Sequence, residues 1–448
     1  MYSLYKTDYP AYRYIILAFY GWMLLEGILR KWVAPSLATP LFFVKYMIIY
    51  LGLFLFLIRK ERLSIKSYPF IGFVLFFIFY CVLQLFNFKV TSSPFLGVIG
   101  FVIHTGFITL VFLLPKVITE RTQVDRLLDK IQWLVIPIFL LGVIQYFSPA
   151  SSFLNTYSDK DSVAGVAMVG GHVRVTTIFS YIAGHTSFLN FVMLLLFFKV
   201  LQIEKLTWKN ILLLFTVLLG VLNAFMSGSR GVVFITFGQY ALIFFIYSIT
   251  LNRQQFVSYT FKSIVAMIVL AVGMQFTEQG KTAINSFMER FEKNNDLSGR
   301  IADSFDPFKY VDYAGVVGMQ IGSTYQGASQ FLDERWRMPP YWEEESERLV
   351  IELGVLGFLV IMIMRLAIFF YGIRTVIHMD DKWSKLFAII LTVHQVPTVI
   401  IINQVTFNWV ENITYWTSVG LLVFINNFHN RSQQHEASTK KYTSLASG

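Results

Sequence analysis

Apolar runs long enough to cross a bilayer recur along almost the whole chain, and no other feature restricts the fold as severely. The hydrocarbon core is about 30 Å thick, so a spanning helix needs about 20 apolar residues. Inside it every backbone N–H and C=O must be satisfied by the protein itself, which leaves helices and closed barrels. The runs are continuously apolar and do not alternate, so they predict helices. Spans are expected near residues 12–29, 41–58, 69–88, 95–118, 131–147, 175–198, 211–226, 232–249, 261–276, 349–371, 386–402 and 410–425. The expected class is all-α, a polytopic transmembrane helix bundle of about 12 spans. Charge agrees: 14% of residues are Asp, Glu, Lys or Arg, against roughly 25% in soluble domains. The first run contains Glu26 and ends in Arg30, Lys31 and Trp32 with no small-residue cleavage site. It therefore reads as a retained span and not as a signal peptide. Cys81 is the single cysteine and falls within a span, which excludes an intrachain disulfide or a cysteine-based metal site.

The net charge of +10 does not point to nucleic acid, because the basic residues follow the loops. Cytoplasmic loops of membrane proteins are enriched in Lys and Arg. With the N-terminus inside, the inside segments hold 21 of the 37 basic residues and the short outside loops hold 6. This bias predicts a multi-pass protein with both termini cytoplasmic and the long loop outside. The chain then divides into spans one to nine (1–277), one large extracytoplasmic loop between spans nine and ten (278–348), spans ten to twelve (349–430) and a polar, disordered cytoplasmic tail (431–448).

The long loop carries its own signals. Ile284, Phe287, Met288 and Phe291 recur at helical spacing, so 281–293 is expected as an amphipathic helix lying on the membrane or on the spans. Gly315, Gly318, Gly322 and Gly327 predict a flexible or tightly turned stretch. Pro339 and Pro340 stop any helix, and a new one restarts before the tenth span.

Candidate chemistry falls into three groups. Arg174 opens the run RVTTIF at the outer end of the sixth span, and Arg230 lies in SGSRG between the seventh and eighth. Guanidinium groups at a water–lipid boundary bind phosphate bidentately and keep their charge. Small residues around Arg230 let backbone N–H groups approach an anion as well. For one interfacial arginine the alternative is snorkelling to headgroups. Glu343, Glu344, Glu345 and Glu347 precede the tenth span, with Glu352 beyond them. A carboxylate there can accept a proton from a sugar hydroxyl. It can also simply suit a helix N-terminus, with Glu345 and Arg348 as a local pair. His185, His104 and His394 lie within spans, where ionisable groups are functional suspects. Their spacing matches no metal motif, and no phosphate-binding loop or nucleotide fingerprint is present, which argues against an NTP-driven pump. Lys45, Glu26 and Arg365 are candidates for buried ion pairs.

In order along the chain, RVTTIF with His185, FMSGSRG, the Gly299–Arg300 pair, GMQIGS at 318–323 and Glu347 through ELGVLG at 352–357 resemble the O-antigen polymerase and O-antigen ligase superfamily. These are bacterial membrane glycosyltransferases of lipid-linked glycans. The resemblance covers the C-terminal two thirds of the chain. It implies a donor glycan on a polyprenyl diphosphate, transferred to a glycan acceptor at the outer membrane face. Arg174, Arg230 and Arg300 would hold the diphosphate, and Glu344, Glu347 or His185 would handle the proton. No metal or other cofactor is implied. Implied partners are membrane lipid and the chain-length regulator and flippase of the same pathway, not nucleic acid. Ligases of this group carry a histidine in the large loop. This loop has none, which favours a polymerase of O-antigen or exopolysaccharide over a ligase acting on lipid A-core. A non-enzymatic flippase remains the alternative from another class, although no internal repeat of the transporter kind is evident. A polysaccharide acyltransferase lacks its expected histidine-rich motif here.

Overall fold

The computed structural model describes residues 10–60, 67–91, 93–157, 166–169, 171–249, 278–293, 306–325, 327–333 and 344–446. The expected ninth span, Arg300, Glu343 and the loop aromatics Trp336, Tyr341 and Trp342 lie outside them. The structure is mostly helical, and the one strand pair among the described residues is the hairpin β1 (Met168–Val169) and β2 (His172–Val173).

The helices are α1 (Pro10–Ile28), α2 (Ala38–Ile58), α3 (Ile71–Gln84), α4 (Pro94–Thr105), α5 (Leu110–Val117), α6 (Arg121–Phe147), α7 (Ile182–Val200), α8 (Trp208–Met226) and α9 (Arg230–Ile249). Then follow α10 (Glu278–Lys293), α11 (Glu345–His378), α12 (Lys382–His394) and α13 (Trp409–Ala446). Eight helical stretches among the described residues are long and apolar enough to cross a membrane: α1, α2, α4 joined to α5, α6, α7, α8, α9 and α11. The other expected spans depart from that standard for visible reasons. Helix α3 has 14 residues, and α12 stops at His394 before a single turn, Val396–Val399. Helix α13 opens with Glu411, Asn412, Thr414, Thr417 and Ser418, all buried, so its apolar half is short.

That polar opening places α13 at the centre of the bundle. Residues 410–425 are all buried, packed on α5, α7 and α12. The outer helices expose apolar side chains such as Leu17, Phe54, Phe76 and Phe245. Such one-sided exposure is what a lipid-facing ring of helices requires.

Two expectations change, and a third narrows. The sixth span begins at Ile182, not near 175, because residues 174–181 run extended or turned before it. Thr177 has φ +48°, which a helix cannot contain. The tail after Asn430, expected to be disordered, continues α13 to Ala446; it contains no glycine or proline before that point. Of the two alternatives for the glycine stretch of the long loop, the tight turn is the one found, with Met319 to Thr324 all buried.

That turn is wedged into the bundle. Gly318 has φ +89° and Gly354, inside α11, has φ +69°. A Cβ on Gly318 would overlap the Gly354 amide, and a Cβ on Gly354 would overlap Val316 O. The two glycine motifs are therefore one contact, with helix α11 broken where the loop presses against it. Met319 N–H donates to Ile351 O at 2.8 Å and Leu356 N–H to Val316 O at 3.1 Å. Gln84 Nε2 donates to Val317 O at 2.9 Å, and Tyr80 OH to Leu353 O at 2.6 Å. Irregular backbone in a membrane protein survives only where protein groups satisfy it in this way. Helix α10 forms as expected, and its Ala283 is buried against Tyr146, Val175 and Met226.

Candidate functional site

Arg174 follows the β-hairpin directly. Its N–H donates to Ala167 O at 2.9 Å, and the next residue, Val175, donates to Met226 O at the end of α8. Arg174 Nε then donates to Ser227 O at 3.0 Å. Its side chain lies across Gly228, whose φ of +60° and missing Cβ make room for it. Arg174 and the SGSRG turn are thus in direct contact. Tyr157 OH donates to Arg174 O at 3.1 Å. Burial pushes that phenol up to about 12 despite the opposing pull of Arg174, so it remains a donor near neutral pH.

The segment after Arg174 is held from below. Lys31 is buried, and its Nζ donates to Thr176 Oγ1 and Thr177 O, both at 2.8 Å. Gln145 accepts from Thr177 N–H at 2.7 Å and donates to Thr177 O at 3.1 Å. His185 Nδ1 lies 3.1 Å from Thr177 Oγ1. The strained Thr177 is therefore gripped by three side chains from three helical stretches, and Arg174 is carried at the head of that gripped segment.

A cavity of about 320 Å³ opens beside Arg174. Its wall takes Tyr181, Ile182 and Ala183 from the start of α7, and Ser229 and Gly231 from the start of α9. Glu344, immediately before α11, and Asn408 and Glu411, at the start of α13, also line it. Four helix N-termini thus face one space. A helix N-terminus carries N–H groups without intrahelical acceptors and the positive end of a dipole; at α13 the Asn408 side chain already accepts from the Val410 and Glu411 N–H groups. Together with Arg174 they supply hydrogen-bond donors of the kind that bind phosphate, while Glu344 and Glu411 bring two carboxylates to the same wall.

Of the residues expected at the site, Arg174 and Glu344 line this cavity. Arg230 is buried as the first residue of α9, while its neighbours Ser229 and Gly231 reach the wall. Glu347 does not line it: it is buried with Lys309 Nζ 3.6 Å away. His185 does not line it either, being fully buried beneath Thr177. Both side chains are directed into protein, away from the cavity wall.

The remaining charges sort into buried pairs. Glu26 accepts from Lys45 at 2.9 Å and Arg30 at 3.0 Å. Arg365 binds Glu345, whose other oxygen accepts from Thr406 N–H at 2.7 Å. Glu352 accepts from His104 Nε2 at 2.7 Å, from Gly322 N–H and Thr324 N–H, both at 2.9 Å, and from Thr324 Oγ1. Glu345 and Glu352 therefore serve separate networks. Arg348 does not pair with Glu345 as expected: it donates to Thr324 O and Oγ1 and lies 3.7 Å over the Phe407 ring.

Glu411, Asn190, Lys31 and Gln145 were missed by sequence reasoning. Glu411 had a visible signal, a carboxylate in the first turn of an apolar run after Asn403, Gln404 and Asn408. Lys31 read as an ordinary interfacial cation. Compared with known proteins, the chain matches no family model and no curated protein.

Proposed function

We propose that this protein is a membrane glycosyltransferase that polymerises polyprenyl-diphosphate-linked oligosaccharide units for O-antigen or exopolysaccharide synthesis. It passes the bacterial cytoplasmic membrane many times, with both termini inside and the cavity toward the outer face, as the charge bias of the short loops favours. The observation that carries the reading is the meeting of four helix N-termini and Arg174 around one cavity. The diphosphate of the donor lies there. Arg174 balances the charge that grows as the sugar–phosphate bond breaks, and Arg230, buried behind Ser229 and Gly231 at the start of α9, adds its charge from within the protein. Fixed cations and N–H groups supply this stabilisation without reorganising. Residues 318–322 and Glu352 hold the loop against the bundle, so that Glu344 is delivered to the cavity at the start of α11.

The test uses purified protein in liposomes, supplied with the lipid-linked oligosaccharides that accumulate in cells lacking it. Wild type should yield longer glycans and free polyprenyl diphosphate. Arg174→Ala and Arg230→Ala should each lower the rate by about 10²-fold or more while the protein stays in the membrane. Wild-type polymer length from either variant would sink the assignment of the diphosphate site.

A further inference from the structure

Five glutamates are buried among the described residues: Glu26, Glu345, Glu347, Glu352 and Glu411. Four have a basic side chain against them, namely Lys45 and Arg30, Arg365, Lys309, and His104 respectively. Glu411 has none among the described residues. Its Oε1 accepts from Asn403 Nδ2 at 2.8 Å, a neutral donor. A buried carboxylate without a cation is costly, and its retention calls for a reason.

Helix capping does not supply that reason. Asn408 caps α13, accepting from Val410 N–H at 3.2 Å and Glu411 N–H at 3.4 Å. In a reciprocal capping box the Glu411 carboxylate would take the Asn408 N–H. That N–H goes instead to Gln404 O at 3.2 Å. The carboxylate instead meets two neutral side chains, Asn403 and the Ser187 hydroxyl, and lines the cavity. Asn190 lines the same cavity; its Nδ2 is spent on Thr236 and Gln239, and its Oδ1 is buried without a partner among the described residues. Acceptors thus gather where α7 and α13 meet the cavity, which suits an occupant that brings hydroxyl donors.

We propose that Glu411 is the general base of the transfer and that Asn190, Asn403 and Glu411 form the subsite for the acceptor sugar's hydroxyl groups. This rests on the glycosyl-transfer reading above and goes beyond it by assigning the acceptor side. The acceptor oxygen bonds to the donor's anomeric carbon while the bond from that carbon to the phosphate oxygen breaks. The bonding pair leaves with the polyprenyl diphosphate, and the hydroxyl proton passes to the Glu411 carboxylate. Glu344, half-buried on the cavity wall where α11 begins, is the more solvated of the two cavity carboxylates. The charged groups facing Glu411 are Glu344 and Arg174 across the cavity, with Glu345, neutralised by Arg365, on the protein side.

The experiment compares wild type, Glu411→Gln and Glu411→Asp in the same liposomes with the same lipid-linked oligosaccharides. Glu411→Gln should lower kcat by at least about 10²-fold, the usual share of a general base, with KM within about threefold. It should also lose the fall in rate on the acid side that wild type shows. Glu411→Asp should recover part of the rate with that fall intact. If Glu411→Gln fails to accumulate, Asn403→Leu keeps the carboxylate and removes its donor, and should lower kcat by about tenfold with the acid fall retained. An active wild type with an equally active Glu411→Gln overturns the role of Glu411 alone. An unchanged rate in Asn403→Leu overturns the subsite. An inactive wild type overturns the transfer reading, and this role with it.

Discussion

At Gly354 the backbone takes φ +69° and ψ −179°, a region open essentially to glycine alone. The absent side chain also admits Val316 O and the Gly318 amide, so conformation and space demand glycine together. Gly354→Ala should cost at least about 2 kcal/mol and lower the melting temperature in detergent. Gly72, in helix α3 with nothing within 4 Å of its would-be Cβ, is the control. Gly72→Ala should leave the melt unchanged or raise it, by up to about 1 kcal/mol. Equal effects at the two positions would refute the clamp between the loop turn and α11. The sequence pattern marked both glycine motifs, yet not their contact. A glycine's neighbours are set by a partner 36 residues away and leave no local trace.

At the scale of elements, the stretch from Arg174 to Tyr181 shows how tertiary bonds override a helical pattern. Its apolar residues continue the run of α7, so the periodicity reads as one span. Lys31 and Gln145 instead offer hydrogen bonds to Thr176 and Thr177, and those bonds outweigh a further helical turn. Lys31→Met keeps the aliphatic stem and removes both donated bonds. It should destabilise the protein by about 1–3 kcal/mol and slow glycan formation, because Arg174 leads the segment. Thermal melts and the liposome assay read the two effects. An unaltered rate with a lowered melt would show that the Arg174 position does not depend on Lys31.

At the scale of the whole molecule, charge predicts which side each loop faces. In a Cys81→Ala background, Ser151→Cys between α6 and α7 should react with a membrane-impermeant maleimide in intact cells. Glu204→Cys between α7 and α8 should react only after permeabilisation. Both positions are exposed, and Cys81 is buried. Reversed labelling would invert the proposed orientation and put the cavity on the cytoplasmic face. The sequence by itself determined the helical class and the long apolar stretches. Bilayer thickness and backbone satisfaction act on any apolar run whatever its neighbours. Only the tertiary structure decided which carboxylates are neutralised. Glu345, Glu347 and Glu352 lie within eight residues of one another, yet meet Arg365, Lys309 and His104 from different elements. Glu411, in another helix, is the buried glutamate left facing the cavity without a cation among the described residues. Ionic partners in a bundle are chosen by how helices pack side by side, and that choice is not written in the order of residues along any one of them.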